Sequence, residues 1–255
     1  MSPELHLICK SRSSLSFKMY WMKRRCMKKY LWTILVLLCT FSSVSYAQEP
    51  WKLVKEADGI EVYIRSVPGS AIAEFKGVGD VDAPVEVVGE IFKDIPSYTQ
   101  WYGFCKEIKL LKQDSEYHRL IYFVLKTLGP VKDRDFIVDT NYSVDRQTGK
   151  LSIALHAIRE EIVPRKSKYV RMTDLNGYFE IRSIDKNKTH VTYMIKADPA
   201  GYIPTFFLNS IQKYQPYLTI KGLREMVKRE VYYKRAGVVG KNCPESPAFA
   251  SAIVP

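Results

Sequence analysis

"KDRDFIVDT" occupies Lys132 to Thr140, and two readings compete for it. Asp133, Asp135 and Asp139 have the chemistry to hold a metal ion or to act as acid and base. They would serve equally well as the polar trim of a β-strand. Strand geometry separates the two. Side chains alternate along a strand, so all three acids fall on one face, but Asp135 and Asp139 are then about 13 Å apart. One ion does not span that distance, and Lys132 and Arg134 add competing positive charge, so no metal site is expected. The opposite face carries Arg134, Phe136, Val138, Thr140 and Tyr142. It reads as an apolar wall headed by an arginine.

Outward from this strand the chain falls into hairpins. "CKEIKLLKQD" (105–114) and "EYHRLIYFVLKT" (116–127) precede it, joined by a tight turn. "KLSIALHAI" (150–158) follows across "DRQTG". "YVRMTDLNGYFEIRSI" (169–184) and "THVTYMIKAD" (189–198) flank "DKNK", while "GIEVYIR" (59–65) and "AIAEFKGVGDV" (71–81) come first. Consecutive hairpins build an antiparallel sheet. Two helical segments break the pattern. Residues 83–95 have Asp82 in position to cap and Pro84 in the first turn. The second segment runs from about residue 203 to 229, with a kink or division expected at Pro216. The fold class is α+β: a curved antiparallel sheet wrapped around a long C-terminal helix, with space enclosed between them.

The net charge of +12 over 255 residues suggests a nucleic-acid protein, but its distribution argues otherwise. Residues 1–47 hold eight Lys/Arg and one Glu, or +7 of the total, so no nucleic-acid partner is expected. That segment reads as a signal peptide. "KRRCMKK" is a basic start, "YLWTILVLLCTF" is an apolar run too short to span a bilayer comfortably, and Ser45 and Ala47 suit a peptidase site. Cleavage after Ala47 is expected, with an uncleaved anchor as the alternative. Residues 1–18 lie outside this pattern, and Met19, Met22 and Met27 are candidate starts. Residues 48–230 form one domain, and 231–255 read as a poorly ordered tail. Cys105 and Cys243 remain after cleavage. An oxidising compartment permits their pairing, and Cys105 otherwise reads as a small buried hydrophobe.

No nucleophile elbow, P-loop, dinucleotide fingerprint or zinc motif occurs. The histidines His118, His156 and His190 lie in or beside strands. His156 draws notice among Leu155, Ala157 and Ile158.

Several of these pieces, in this order and spacing, resemble the StAR-related lipid-transfer (START) domain family. They are "WKLVKEADGIEVYIR" (51–65), "DVDAPVEVVGEIFKDIPSYTQW" (80–101), "KDRDFIV" (132–138) and "DPAGYIPTFFLNSIQKYQPYLTIKGLREMV" (198–227). The resemblance covers about residues 50–230. It implies a helix-grip fold whose sheet and C-terminal helix enclose a hydrophobic tunnel for one lipid or sterol-like molecule. It also implies that Arg134 and Asp135 match the family's Arg-Asp pair and Trp101 its tryptophan. Arg171 falls where members often place a buried arginine facing a lipid's polar group, but Arg159, rather than an acidic residue, sits near the place of its partner. The expected ligand-binding residues are Trp101, Arg134, Phe136, His156, Arg171, Tyr193, Tyr202, Phe206, Phe207 and Asn209. The function expected is an exported carrier, periplasmic or secreted, for a lipid or other hydrophobic small molecule. It needs no cofactor, performs no chemistry and touches membranes transiently. The alternative is an aromatase/cyclase-like enzyme using His156, Tyr193 and Arg171, which an exported location disfavours.

Overall fold

The structure, a computed structural model, describes residues 49–70, 72–145 and 147–238. The expected leader, Cys243 and residues 239–255 of the expected tail lie outside these. The strands are β1 (Lys52–Ala57), β2 (Ile60–Arg65), β3 (Glu74–Val81), β4 (Cys105–Ser115), β5 (His118–Leu125), β6 (Asp133–Asp145), β7 (Lys150–Ala157), β8 (Tyr169–Arg171), β9 (Leu175–Asp185) and β10 (Lys188–Ala197). The helices are α1 (Val85–Lys93), α2 (Tyr98–Trp101), α3 (Thr205–Met226) and α4 (Glu230–Arg235). The sheet order is β1-β2-β3-β10-β9-β7-β6-β5-β4, so the last strand pairs with an early one and the sheet curves around α3.

Alternation along the strands gives the sheet two distinct faces. Leu125, Phe123 and Ile121 on β5 face the helix side, opposite Arg134, Phe136 and Val138 on β6. Tyr122, Val124 and Ile137 face outward into a second, smaller apolar cluster with Tyr169. That second cluster explains the unbroken burial of β6 from Arg134 to Val138. A strand covered on both sides loses its polar alternation.

Close backbone approach fixes α3 against its surroundings. A Cβ on Gly77 would stand 2.7 Å from Pro216 Cβ, and one on Gly79 would stand 3.1 Å from Ile220 Cγ2. The two glycines of "GVGDV" therefore let the helix lie down on β3. Gly222 similarly lies against α2, where a Cβ would be 2.6 Å from Trp101 Cα.

Four expectations change. Of the two outcomes expected at Pro216, a kink or a division, the division is ruled out, because Pro216 lies inside one helix spanning Thr205–Met226. Asp82 does not cap α1: Pro84 holds the cap position with no side-chain bond, and Asp82 is exposed. Residues 169–184 are two strands. β8 runs parallel to β6 along the edge that β7 leaves free, and Met172 N–H bonds Asp135 O before β9 begins. The expected tail starts too early, because Tyr232 and Tyr233 of α4 are buried and Tyr232 hydroxyl donates to Asp94 at 2.8 Å.

Candidate ligand-binding site

Two cavities lie in series along the inner face of the sheet, the first beneath α3 and the second beneath the end of α1 and α2. The first, of about 90 Å³, sits beneath the N-terminal half of α3 among Phe75, Leu125, Arg134, Met172, Ile195 and Leu208. The second, of about 20 Å³, lies deeper, among Phe92, Tyr98, Phe123, Phe136, Tyr142 and Phe179. Leu175 lines both. A polar link lies between them: Gln215 of the first cavity donates to Tyr193 hydroxyl at 3.2 Å, and Tyr193 shares a 2.6 Å hydrogen bond with Tyr102 of the second. Burial pushes both tyrosine hydroxyls up from the ordinary phenol range, so they stay neutral donors and acceptors. Tyr193 is also stacked on Phe179, with ring centroids 4.1 Å apart.

The mouth is closed by residues 197–213. Arg134 crosses from β6 to donate to Pro199 O and Ala200 O, both at 3.0 Å, and also bonds Lys132 O. Burial lowers its pKa, and these carbonyls supply the partners that a buried guanidinium requires. Ala200 and Gly201 then turn the chain through positive φ, 51° and 62°, into α3. Phe207 rests on Gly129, where a Cβ would meet its ring at 2.6 Å. Arg134 is thus a latch on the segment leading into the helix. Replacing it with Met is expected to raise hydrogen exchange through residues 203–213 while the sheet stays protected, because two carbonyls lose a charged donor. Unchanged protection there would show that Arg134 does not hold the mouth.

The expected residues scatter differently from the sequence reading. Arg134 and Phe136 line the cavities, and Tyr193 forms the link between them. Trp101 lies in the wall, edge-on to Phe92 at 5.1 Å, with its indole N–H on Ser97. Phe207 is half-buried, whereas Tyr202, Phe206 and Asn209 point to solvent. Two placements are corrections. His156 is exposed on the outer face, paired with Asn176 at 2.8 Å. Arg171 also faces outward, because the parallel pairing of β8 puts it in register with Asp135 rather than Arg134. The missing acid is Asp135 itself, 2.8 Å away in a pair almost wholly buried. Tyr122 hydroxyl donates to the same carboxylate at 3.1 Å. The three acids of "KDRDFIVDT" therefore part company: Asp133 pairs with Lys106, Asp135 with Arg171, and Asp139 with His118.

Sequence reading missed Tyr102, Gln215 and Arg119. Arg119 left a signal, since it shares strand parity with Ile121, Phe123 and Leu125 and so belongs to the inner face. It is 5 % exposed.

A curved sheet gripping a C-terminal helix over an aromatic-lined interior defines a helix-grip protein. The START domain model matches residues 40–232, and the chain belongs to that family. It is 30% identical over 182 residues to an uncharacterized protein of Pseudomonas aeruginosa, covering 71% of this chain and 88% of that one. It is 26% identical over 164 residues to the mouse phosphatidylcholine transfer protein, covering 62% of this chain and 75% of that one. The solved structure of a STAR-related lipid transfer protein fragment from Xanthomonas axonopodis matches with a TM-score of 0.63 and 28% identity, over 70% of this chain and 99% of that chain.

Proposed function

We propose that this protein carries one lipid or other hydrophobic small molecule between α3 and the sheet, without chemistry on it. The observation that carries this reading is the inner face itself. Mainly apolar and aromatic side chains line it from the first cavity through the second, with Lys126 and Arg134 at the first and one hydroxyl–amide link between. Each CH₂ moved there from water gains about 0.8 kcal/mol, so an acyl chain needs few polar contacts. Kinship with a phosphatidylcholine transfer protein and a STAR-related lipid transfer protein supports the ligand class.

Loading requires movement, since ligand pockets occupy roughly 300–1,000 Å³ and these cavities are far smaller. The segment that moves is the one held by Arg134 and turned at Ala200–Gly201. Tyr202 and Phe206 stand on its outside, 86% and 75% exposed. Amphipathic aromatics in that position suit transient contact with a bilayer surface, which fits opening at a membrane. Two observations favour carriage over catalysis: His156 and Arg171 face away from the interior. We place the carrier outside the cytosol, on the reading of residues 1–47 as a leader.

Organic extraction of protein purified under native conditions, followed by mass spectrometry, is expected to release a stoichiometric apolar molecule. Protein that stays empty after incubation with a broad lipid panel would sink the reading.

A further inference from the structure

Arg119 is the buried cation that the fold leaves unsatisfied. Its guanidinium reaches Tyr142 hydroxyl at 3.3 Å and Phe92 O at 3.4 Å, both long and both neutral. It stands 4.8 Å over the Tyr142 ring, and its Nε has no partner. Among the described residues Arg119 forms no ion pair. Buried charges are ordinarily paired, because an isolated one costs far more than a neutral side chain. The other buried arginines have their charge met: Arg134 has three carbonyls, and Arg171 has Asp135 although its Nε, like that of Arg119, has no partner.

The surroundings are rich in donors and poor in acceptors. Phe92 O receives Tyr98 hydroxyl at 3.0 Å, Tyr142 hydroxyl at 3.2 Å and Arg119. A carbonyl oxygen has two lone pairs, so three donors compete for it. The residues lining the two cavities include Lys126 and Arg134 but no Asp or Glu. Among the described residues the interior is thus apolar, positive and without an anion of its own.

Position completes the argument. Leu125 lines the first cavity, and Phe123 and Ile121 line the second. Arg119 is next in the same row, with Thr140, its cross-strand partner, lining the second cavity too. From Leu125 to Arg119 is about 20 Å at the strand rise, a length suited to an extended long acyl chain. We propose that Arg119, with the hydroxyls of Tyr98 and Tyr142, is an anion-binding subsite for the head of a single-chain anionic amphiphile, a long-chain carboxylate. The chain then runs back toward the mouth, and the carboxylate supplies the acceptors that Phe92 O cannot. This rests on the carrier reading above, and adds to it the charge and orientation of the ligand.

The test uses full-length protein stripped of lipid, with native mass spectrometry against palmitate, hexadecan-1-ol and phosphatidylcholine at equal concentration. Palmitate is expected to bind at least about tenfold more tightly than the alcohol of equal chain length, as a charged hydrogen-bonded pair implies. Arg119→Met should abolish that preference. Its empty form should melt at the same temperature or higher, since an unpaired buried charge has been replaced by an apolar side chain of similar length. Tyr142→Phe should narrow the preference several-fold. Equal binding of palmitate and alcohol by the unaltered protein overturns the proposal and leaves the carrier reading intact. So does a preference that survives Arg119→Met. Failure of all three ligands to bind overturns both. The chain-matched comparison decides even if the arginine variant does not fold.

Discussion

Asp135→Asn is expected to lower the unfolding free energy by about 3 kcal/mol, because removing one partner of a buried ion pair strands the other. Asp135 is 1 % exposed and takes both Arg171 and Tyr122 as donors. Arg171 would be left charged with neutral acceptors alone, Val163 O at 3.1 Å and the amide oxygen of the new side chain. A guanidinium keeps its proton in a protein, so Arg171 does not escape by becoming neutral. Replacing both residues with apolar ones of similar size should recover most of the loss. Urea denaturation measures this, and a loss below about 1 kcal/mol would show that the pair is not a keystone. The second arm of the experiment concerns function. Because the pair faces away from the cavities, folded Asp135→Asn protein should carry as much ligand per molecule as the unaltered chain. Loss of ligand from the folded variant would place the pair at the binding site after all.

Gly222→Ala should be nearly as damaging. Here the obstacle is Trp101 backbone, 2.6 Å from the new Cβ at its Cα, which no side-chain rotation relieves. Overpacking of this kind costs about 3 kcal/mol at the upper end of its usual range. The strain falls on α2 and the residue after it: Tyr98 and Tyr102 line the deeper cavity, and Trp101 packs against both. A changed Trp101 emission alongside the lowered midpoint is expected. An unshifted midpoint would mean that α3 and α2 are not in close contact.

Much of the sheet was legible because hairpins announce themselves locally, by alternation and by turn residues. The Phe136/Val138 wall and the place of Arg134 followed from parity alone. Facing became unreadable where the chain left a strand and returned. Between Ala157 and Tyr169 it crosses to the outer surface, and β8 then pairs parallel with β6. Nothing local fixes the parity of Arg171 after such a crossing, so its partner Asp135, 36 residues earlier, was invisible. Gln215 and Tyr102 were hidden for a related reason. Their roles come from α3 lying on Gly103, whose N–H bonds Thr219, and that contact joins segments 116 residues apart. Arg119 differs from these. Its signal, a charge in phase with three apolar residues, was present in the sequence and was passed over.

The smallness of the cavities bears on measured affinity. Ligand must find a conformation with the mouth open, and the closed form described here is its competitor. Observed affinity is then the intrinsic affinity scaled by the fraction of molecules already open. The three bonds of Arg134 and the seat of Phe207 on Gly129 help to set that fraction. Changes that weaken this fastening should tighten measured binding even as they lower the stability of the empty protein, the reverse of what damage to a cavity wall does.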